Sequence, residues 1–467
     1  MAAPTTTDSF LDLVAKSQLI APERLEAALR QIPANRLETP RHVAGVLLGA
    51  GLLTQFQAQQ LLQGKHRGFA IGKYRVLERL GHGGGGTIYL CEHTLMRRRV
   101  AIKVLPSSRA ANPALLMRFY REGRASGSLD HPNLVRCHDI DCDGNLHFLV
   151  MDYIDGSSLQ HIVGRSGSLE VARACHYVRD AALALAHAHR HGLVHRDIKP
   201  ANIMVDRTGV VKVLDLGLAR FFNDEDDPLT LKYDDNHVLG TADYVSPEQI
   251  VDSHNVDIRT DIYSLGATLY FALTGGALFP EGKPSEKMLW HQVRMPKPVG
   301  ERNPRVPAEL AAVVSMMLAK DRTRRYQEPF EVYDALEPWT RQPIGPPEDT
   351  EMPQLSLAAQ LAGANPGAAR LADVTDPNET PRRPMSFTMD EIATPNAVIH
   401  SQTPTDPDVD ATPIPMPRET VLRRTPRPRK SAPARRRFGT VGTALLVAGA
   451  IAVGVLIRLA TAWFRGS

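Results

Sequence analysis

Apolar residues follow two different periods along the chain, and the changes of period divide it into regions. Up to about residue 70 the spacing is helical, and SQLIAPERLEAAL at residues 17–29 resembles AGLLTQFQAQQLL at residues 50–62. β-rich segments such as YRVLERL, TIYLCEH and RRVAIKVL begin near residue 74, and beyond about residue 165 the spacing is helical again. We therefore predict a small helical interaction module over residues 1–70. Residues 74–338 are predicted to form an α+β unit with a β-rich first lobe and a helical second lobe.

The carboxyl-terminal part of the chain has a different pattern. Residues 341–437 contain 17 of the 35 prolines and no sustained apolar period, which predicts a disordered linker. Residues 438–457 carry no charge. A helix of that length, at about 1.5 Å per residue, spans roughly the 30 Å of a bilayer core. We predict one transmembrane helix over residues 438–464, in preference to a buried helix of a soluble core.

Charge gives this helix a direction. The chain has a formal net charge of +4, but nine Lys or Arg residues and one acidic residue lie between residues 418 and 437. Basic residues before a membrane span favour the cytoplasm for the preceding chain. We therefore expect a single-pass, carboxyl-terminal anchor in the cell membrane, with the α+β unit in the cytoplasm. Contact with anionic membrane lipid explains the basic residues better than a nucleic acid does, and no nucleic-acid partner is expected.

Length and cysteine content exclude other classes. A chain of 467 residues that is 43% apolar can form two or three domains with their own cores. Its four cysteines lack the CxxC spacing of a zinc site and do not suggest a disulfide framework. The segment MAAPTTTDSF at the amino terminus lacks the basic and apolar regions of a signal peptide.

Four consecutive glycines occur in LGHGGGGTIYL at residues 80–90. Such a run permits a flexible linker, a strained strand or a loop that lies against a ligand. Because a β-like segment lies on each side, we predict a hairpin whose nearly bare backbone approaches a polyphosphate. The spacing of Gly81, Gly83 and Gly86 also fits a dinucleotide-binding turn, but a helix would follow that turn and here a strand follows.

A lysine and several polar loop residues supply candidate chemistry. Lys103 lies in an apolar strand, where a buried ammonium group needs a partner, and Glu122 on a predicted helix is the candidate. The alternative is a surface lysine. The segments HRDIKPAN and VLDLGLAR contain Asp197, Asn202 and Asp215 in short loops. Phosphoryl transfer needs oxygen ligands for Mg²⁺, a carboxylate that accepts the hydroxyl proton and a cation near the γ-phosphate.

In this order and spacing, the motifs resemble those of bacterial Hanks-type serine/threonine protein kinases. The resemblance covers residues 74–338 and implies the bilobal protein-kinase fold, with ATP and Mg²⁺ as cofactors, Mn²⁺ as a substitute metal and protein substrates. The layout, with a helical segment before the kinase region, is similar to that of kinases from planctomycete-type bacteria. Pairing of two kinase domains is a further interaction that the resemblance leaves open.

The resemblance also implies the site residues. The catalytic residues would be Asp197 as the base, Lys199 and Asn202, and the metal ligands would be Asn202 and Asp215. Adenine would contact the Asp152 carbonyl and the Ile154 N–H group, with Met151 behind it. The full set of nucleotide-binding residues is Leu80, Gly81, His82, Gly83, Gly84, Gly85, Gly86, Thr87, Ile88, Ala101, Lys103, Glu122, Met151, Asp152 and Ile154.

Departures from the family pattern are small. Gly85 stands where the family usually has an aromatic residue, Leu216 makes the DFG motif DLG, and Ser246 makes the APE motif SPE. None removes a group that the chemistry needs, which argues against a catalytically silent scaffold. GTADYVSPEQ resembles the end of an activation segment, which argues against a small-molecule phosphotransferase. Asp261 matches the aspartate of the family's helix F, and Arg325 is the predicted partner of Glu248.

Residues 221–239 form the variable part of the predicted activation segment. Arg196, beside the catalytic aspartate, would pair with a phosphate on Thr230 and so order the segment. The alternative is an acidic segment that is ordered without phosphate. We expect a signalling kinase regulated by autophosphorylation of this segment.

Overall fold

The computed structural model describes residues 2–30, 38–83, 86–214, 220–221, 242–252 and 255–362. All of them belong to one compact unit, Met1–Thr394. Gly84, Gly85, Asp215 and Thr230 lie outside the described residues, and so does the predicted transmembrane helix over residues 438–464. None of the helices in the described ranges combines the length and apolar character that crossing a bilayer requires.

Residues 2–30 and 38–70, the described part of the predicted module, contain four short helices around a small apolar core. The helices are α1 Thr7–Ser17, α2 Pro22–Arg30, α3 Pro40–Gly49 and α4 Gln55–Leu62. Hydroxyl side chains begin three of them, because Thr6, Thr39 and Thr54 each accept a hydrogen bond from a backbone N–H group in the first turn. The core residues include Phe10, Val14, Val43, Leu47 and Leu61.

A six-stranded antiparallel sheet forms the first lobe. Its strands are β1 Ala70–Ile71, β2 Tyr74–Gly83, β3 Gly86–His93, β4 Arg99–Val104, β5 Cys137–Asp143 and β6 Leu146–Asp152. They are hydrogen-bonded in the order β1-β2-β3-β4-β6-β5. Two helices, α5 Ser107–Ala110 and α6 Pro113–Gly127, follow β4. Five consecutive residues of β4 are buried, which is the pattern of a central strand that is covered on both faces.

The second lobe is mainly helical. Its helices are α7 Leu159–Ser166, α8 Val171–Arg190, α9 Pro247–Val251, α10 Arg259–Thr274, α11 Pro284–Val293, α12 Val299–Arg302, α13 Ala308–Met317 and α14 Pro329–Ala335. Short strands β7 Gly156–Ser158, β8 Leu193–Val194, β9 Ile203–Asp206, β10 Val211–Val213 and β11 Arg220–Phe221 form two small sheets, β10-β9-β7 and β11-β8. Helices α8 and α10 pack at the centre of its core. The two lobes have the compositions that the sequence predicts.

Residues 341–362, which composition assigns to a linker, pack on both lobes instead, and we call them the strap. The strap contains a 3₁₀ turn, Asp349–Glu351, and a short helix, α15 Leu357–Leu361. Glu351 is 2% exposed and accepts hydrogen bonds from Arg173 at 2.8 and 2.5 Å. The linker prediction is wrong for these residues. It rested on proline content, which gives no information on the buried contacts that Glu351, Met352 and Ala359 make.

Candidate active site

The glycine-rich segment forms the end of the β2–β3 hairpin. Gly83 pairs with Gly86, and residues 84–85 lie between them in sequence. Gly86 has φ of 128°, and a Cβ atom on it would lie 2.1 Å from the Val104 carbonyl oxygen. Glycine is therefore required here by neighbouring strand β4, in addition to any role near a phosphate. Within the same hairpin, His82 Nδ1 lies 2.8 Å from Thr87 Oγ1, and both residues belong to the predicted nucleotide set.

Lys103 and Glu122 meet between the sheet and helix α6. The Nζ atom of Lys103 lies 2.5 Å from Glu122 Oε1, and the two side chains are 5% and 11% exposed. The predicted contact is therefore present, and the surface-lysine alternative is excluded for this structure. Held by Glu122, the ammonium group has a fixed position on β4, next to the glycine-rich hairpin whose Ile88 pairs with Lys103.

Helix α6 reaches this position because Gly123 lets it approach the sheet closely. A Cβ atom on Gly123 would lie 2.6 Å from Leu149 Cδ2 and 2.8 Å from Ile140 Cδ1. We expect Gly123→Ala to push α6 outward, to destabilise the protein by about 1–3 kcal/mol and to weaken ATP binding, because Glu122 moves with the helix. The measurements are thermal unfolding and the Kd for Mg-ATP.

The matched control lies on the same helix. A Cβ atom on Gly127 would make only an ordinary 3.5 Å contact with the Cys137 carbonyl oxygen. Alanine has the higher helix propensity, by about 0.5–1 kcal/mol, so Gly127→Ala should be neutral or slightly stabilising. Equal behaviour of the two variants would contradict the role assigned to Gly123.

The candidate catalytic residues lie together in the loop after β8. Lys199 Nζ lies 3.0 and 2.8 Å from the two carboxylate oxygens of Asp197. Asn202 Nδ2 donates to the Asp197 carbonyl oxygen at 2.8 Å and to its Oδ2 atom at 3.0 Å. Two side chains within the next five residues thus contact the Asp197 carboxylate, which fixes its orientation.

Buried Asp261, at the start of α10, holds the backbone of this loop. It accepts the N–H groups of His195 and Arg196 at 2.9 and 2.8 Å, and His189 Nε2 lies 2.8 Å from its Oδ2 atom. Burial opposes ionisation of Asp261, but the hydrogen bond from His189 and the other donors outweigh it and lower the pKa. Arg196 has φ of 68°, a left-handed conformation that such backbone restraint maintains.

The Asn202 side chain fits a metal ligand. Because its Nδ2 atom donates to Asp197, its Oδ1 atom faces the opposite side of the amide group. An amide oxygen is a ligand type that Mg²⁺ accepts. The second predicted ligand, Asp215, lies outside the described residues. Leu214, which precedes it in sequence, donates its N–H group to the Asn202 carbonyl oxygen at 2.8 Å.

The predicted adenine-binding residues follow strand β6. Met151 pairs with Ala101 of β4, so these two members of the nucleotide set are neighbours in the sheet. The Asp152 carboxylate accepts a hydrogen bond from Arg98 at 3.0 Å, and His138 Nε2 lies 2.7 Å from it. Because its carboxylate is engaged by Arg98 and His138, the Asp152 side chain is not needed for adenine binding. The predicted adenine contacts remain the backbone groups of Asp152 and Ile154.

The end of the predicted activation segment is anchored by an ion pair. Arg325 Nη1 and Nη2 lie 2.6 and 2.8 Å from the two carboxylate oxygens of Glu248. The predicted partnership is confirmed. Ser246 is the N-cap of α9, accepting the Gln249 N–H group, and lies 2.6 Å from Thr260 Oγ1. The serine that replaces the alanine of the family pattern therefore supplies the cap of this helix.

A two-lobed fold with a buried lysine–glutamate pair and an Asp-Lys-Asn loop is that of the protein kinase class. The family model described as "Protein kinase domain" matches residues 74–334, more than half of the chain, and the chain belongs to this family. It is 39% identical over 264 residues to the serine/threonine-protein kinase PknB of Mycolicibacterium smegmatis. The aligned region covers 56% of this chain and 42% of PknB. It is 35% identical over 257 residues to the serine/threonine-protein kinase PrkC of Bacillus subtilis, covering 55% and 39%.

The chain spans less than half the length of both relatives. The match to the crystal structure of the Mycobacterium tuberculosis PknI kinase domain covers 58% of this chain and 97% of that chain, at 27% identity and a TM-score of 0.45.

Proposed function

We propose that the chain is an ATP-dependent protein kinase that phosphorylates serine and threonine hydroxyl groups. The observation that carries the proposal is the Asp197 carboxylate held by Lys199 and Asn202 in the second lobe, together with the buried Lys103–Glu122 pair in the first lobe. Membership of the kinase family supports it, and the matched bacterial relatives carry serine/threonine kinase names.

Each residue has a distinct task in this proposal. The Asp197 carboxylate orients the substrate hydroxyl group and accepts its proton as the oxygen attacks the γ-phosphate. Lys199, 2.8 Å from that carboxylate, supplies a positive charge at the site of transfer. Lys103 holds the α- and β-phosphates, and Glu122 keeps its ammonium group in place.

The metal site completes the assignment. Asn202, through Oδ1, and Asp215 would hold Mg²⁺, which when bound neutralises negative charge on the phosphates. The fixed position of Asn202 beside Asp197 keeps the metal ligand and the base in one loop. The glycine-rich hairpin covers the phosphates and excludes water from them.

Metal dependence and amino-acid specificity test the proposal together. We incubate the full chain with γ-labelled ATP, Mg²⁺ and a mixed protein substrate, and identify the labelled amino acids after hydrolysis. Label is expected on serine and threonine and not on tyrosine. Chelation of Mg²⁺ should abolish transfer, because both charge neutralisation and phosphate orientation are lost, and added Mg²⁺ or Mn²⁺ should restore it. Binding of Mg-ATP without any transfer would favour the scaffold alternative.

The proposal extends to location and regulation. The uncharged residues 438–457 and the nine basic residues before them support a membrane anchor with the kinase domain in the cytoplasm. Resistance of the full chain to alkaline extraction from membranes tests the anchor. The proposed regulatory step is autophosphorylation of Thr230, whose phosphate would pair with Arg196. Unchanged activity of Thr230→Ala would count against it.

A further inference from the structure

Strand β2 is irregular just before the glycine-rich hairpin. Its register with β3 shifts between Val76 and Glu78 and again between Arg79 and Gly81, so that Leu77 and Leu80 have no partner in the ladder. We call the first of these irregularities, at Leu77, the bulge. A bulged residue leaves backbone groups unpaired, and buried groups need other partners. The Thr54 hydroxyl group donates to the Leu77 carbonyl oxygen, and Gln57 Nε2 donates to the Val76 carbonyl oxygen at 2.7 Å.

The partners at this bulge are the two capping residues of helix α4. Thr54 and Gln57 exchange hydrogen bonds with each other at the start of the helix, and they are 1% and 3% exposed. The same side chains therefore begin a helix of the amino-terminal module and satisfy the irregular part of β2. The module is joined to the kinase domain at a specific point of the sheet.

Glu78, the residue after the bulge, contacts both helix α4 and the strap. Its Oε2 atom accepts the Phe56 N–H group of α4 at 3.2 Å, and its Oε1 atom accepts the Ser356 hydroxyl group of the strap at 2.7 Å. Burial raises the pKa of Glu78, against the effect of these donors. Because Glu78 is half-buried, water replaces a lost donor less readily than it would at an exposed carboxylate.

The strap also contacts the segment that joins the lobes. Leu355 and Ala359 pack in one apolar cluster with Leu77 of the bulge and with Tyr153. Tyr153 lies between Asp152 and Ile154, whose backbone groups are the predicted adenine contacts. At its other end the strap is fixed to the second lobe by Glu351 and Arg173. It therefore contacts both lobes and shares Glu78 with the amino-terminal module.

We propose that Glu78 is a positioning residue for ATP, joining the amino-terminal module and the strap to the strand that carries the glycine-rich hairpin. Glu78 precedes Gly81 by three residues on the same strand, with the second register shift between them, and its position therefore influences where the hairpin lies over the phosphates. The inference rests on the proposed kinase function. Asp197, Lys199 and Asn202 lie in the other lobe, so a displaced hairpin affects ATP binding and leaves the transfer step unchanged.

A charge placed opposite Glu78 tests this inference. Ser356→Asp puts a second carboxylate where the serine hydroxyl group donates, and the repulsion should separate the strap from β2. In the full chain, we expect the Kd and KM for Mg-ATP to rise about tenfold, equivalent to about 1.4 kcal/mol, with kcat within about twofold of wild type. Calorimetry with Mg-ATP gives the Kd, and phosphate transfer gives KM and kcat.

Two further variants make the result specific. Gln354→Asp adds the same charge at an exposed position of the strap, two residues away, and should leave ATP binding unchanged. Glu78→Gln removes the repelling charge, so the Glu78→Gln/Ser356→Asp double variant should bind ATP more tightly than Ser356→Asp alone. This rescue distinguishes a charge effect at the joint from general damage to the fold.

The inference is overturned if Ser356→Asp binds ATP as wild type does, if Gln354→Asp has an equal effect, or if Glu78→Gln gives no rescue. Thermal unfolding identifies variants that fail to fold. Should Ser356→Asp be one of them, Ser356→Ala is decisive, with an expected rise in Kd of about threefold and refutation if Kd is unchanged. Failure of the kinase proposal would appear separately, as absent phosphate transfer in the wild type, and the Kd comparison would still stand.

Discussion

Replacing Asp197 by asparagine is expected to lower kcat about 10³-fold, because general-base catalysis contributes about 10²–10⁴. The substitution keeps the size of the side chain and an oxygen that accepts from Lys199, which now lies 2.8 Å from Asp197 Oδ2. It removes the group that accepts the hydroxyl proton. Lys103 and the glycine-rich hairpin are untouched, so the Kd for Mg-ATP should change by less than about threefold.

Single-turnover phosphate transfer and calorimetry with Mg-ATP measure the two quantities separately. Asp334→Asn is the matched control, because Asp334 is an exposed residue of α14 that belongs to none of the predicted site residues. It should leave kcat and Kd unchanged. General-base catalysis contributes at least about 10². A loss of kcat below about tenfold for Asp197→Asn would therefore show that Asp197 is not the base. An equal loss of ATP affinity would indicate a binding role instead.

Sequence patterns predict the residues whose chemistry demands a partner. Lys103 is one lysine in an apolar strand, and a buried ammonium group has few alternatives to a carboxylate such as Glu122. The Glu248–Arg325 pair was expected from the resemblance to the kinase family, and the structure contains it. These predictions succeed because local sequence and family motif both restrict the partner.

Contacts between distant parts of the chain could not be predicted in this way. Glu78 and Ser356 are 278 residues apart in sequence, and neither belongs to a recognised motif. His189 and Asp261 are 72 residues apart, and His189 lies on the buried face of α8 with no motif to single it out. No period or spacing in the sequence encodes such pairs.

The bulge of β2 has no comparable signal in the sequence. Val76 and Leu77 are adjacent apolar residues in YRVLERL, but successive side chains of any strand point to opposite faces. In the structure they are 1% and 3% exposed and belong to different apolar clusters. A regular strand covered on both faces would show the same two buried neighbours, so neither the inserted residue nor the buried contacts of Glu78 could be predicted from this pattern.

Replacing Arg325 by methionine is expected to reduce the free energy of unfolding by about 3–5 kcal/mol, since removal of one partner leaves the other charge buried. The Arg325 side chain is fully buried and also donates to the carbonyl oxygens of Ala319, Arg259 and Lys320, at 2.7, 3.0 and 3.1 Å. Methionine fills part of the volume but supplies none of these hydrogen bonds. Chemical denaturation measures the loss.

The pH dependence identifies the cause. Burial raises the pKa of Glu248, but the hydrogen bonds from Arg325 outweigh it, so the folded-state pKa is lowered. A carboxyl group with a lowered pKa contributes stability above its unfolded pKa and loses that contribution as the pH falls through the folded value. Without Arg325, burial is opposed only by a backbone N–H group and the Thr260 hydroxyl group, so the pKa of Glu248 should rise. The stability difference between wild type and Arg325→Met should therefore be greatest near pH 7 and shrink in acid.

Two controls separate the ion pair from simple loss of an arginine. Arg341→Met removes an exposed arginine that pairs with Glu337 on the surface, and no measurable change is expected. Glu248→Gln in the Arg325→Met background removes the unpaired charge, so the double variant should be more stable than Arg325→Met alone. If the double variant is less stable still, and the loss is independent of pH, the effect comes from the lost packing of Arg325 and the backbone carbonyl groups rather than from a buried charge.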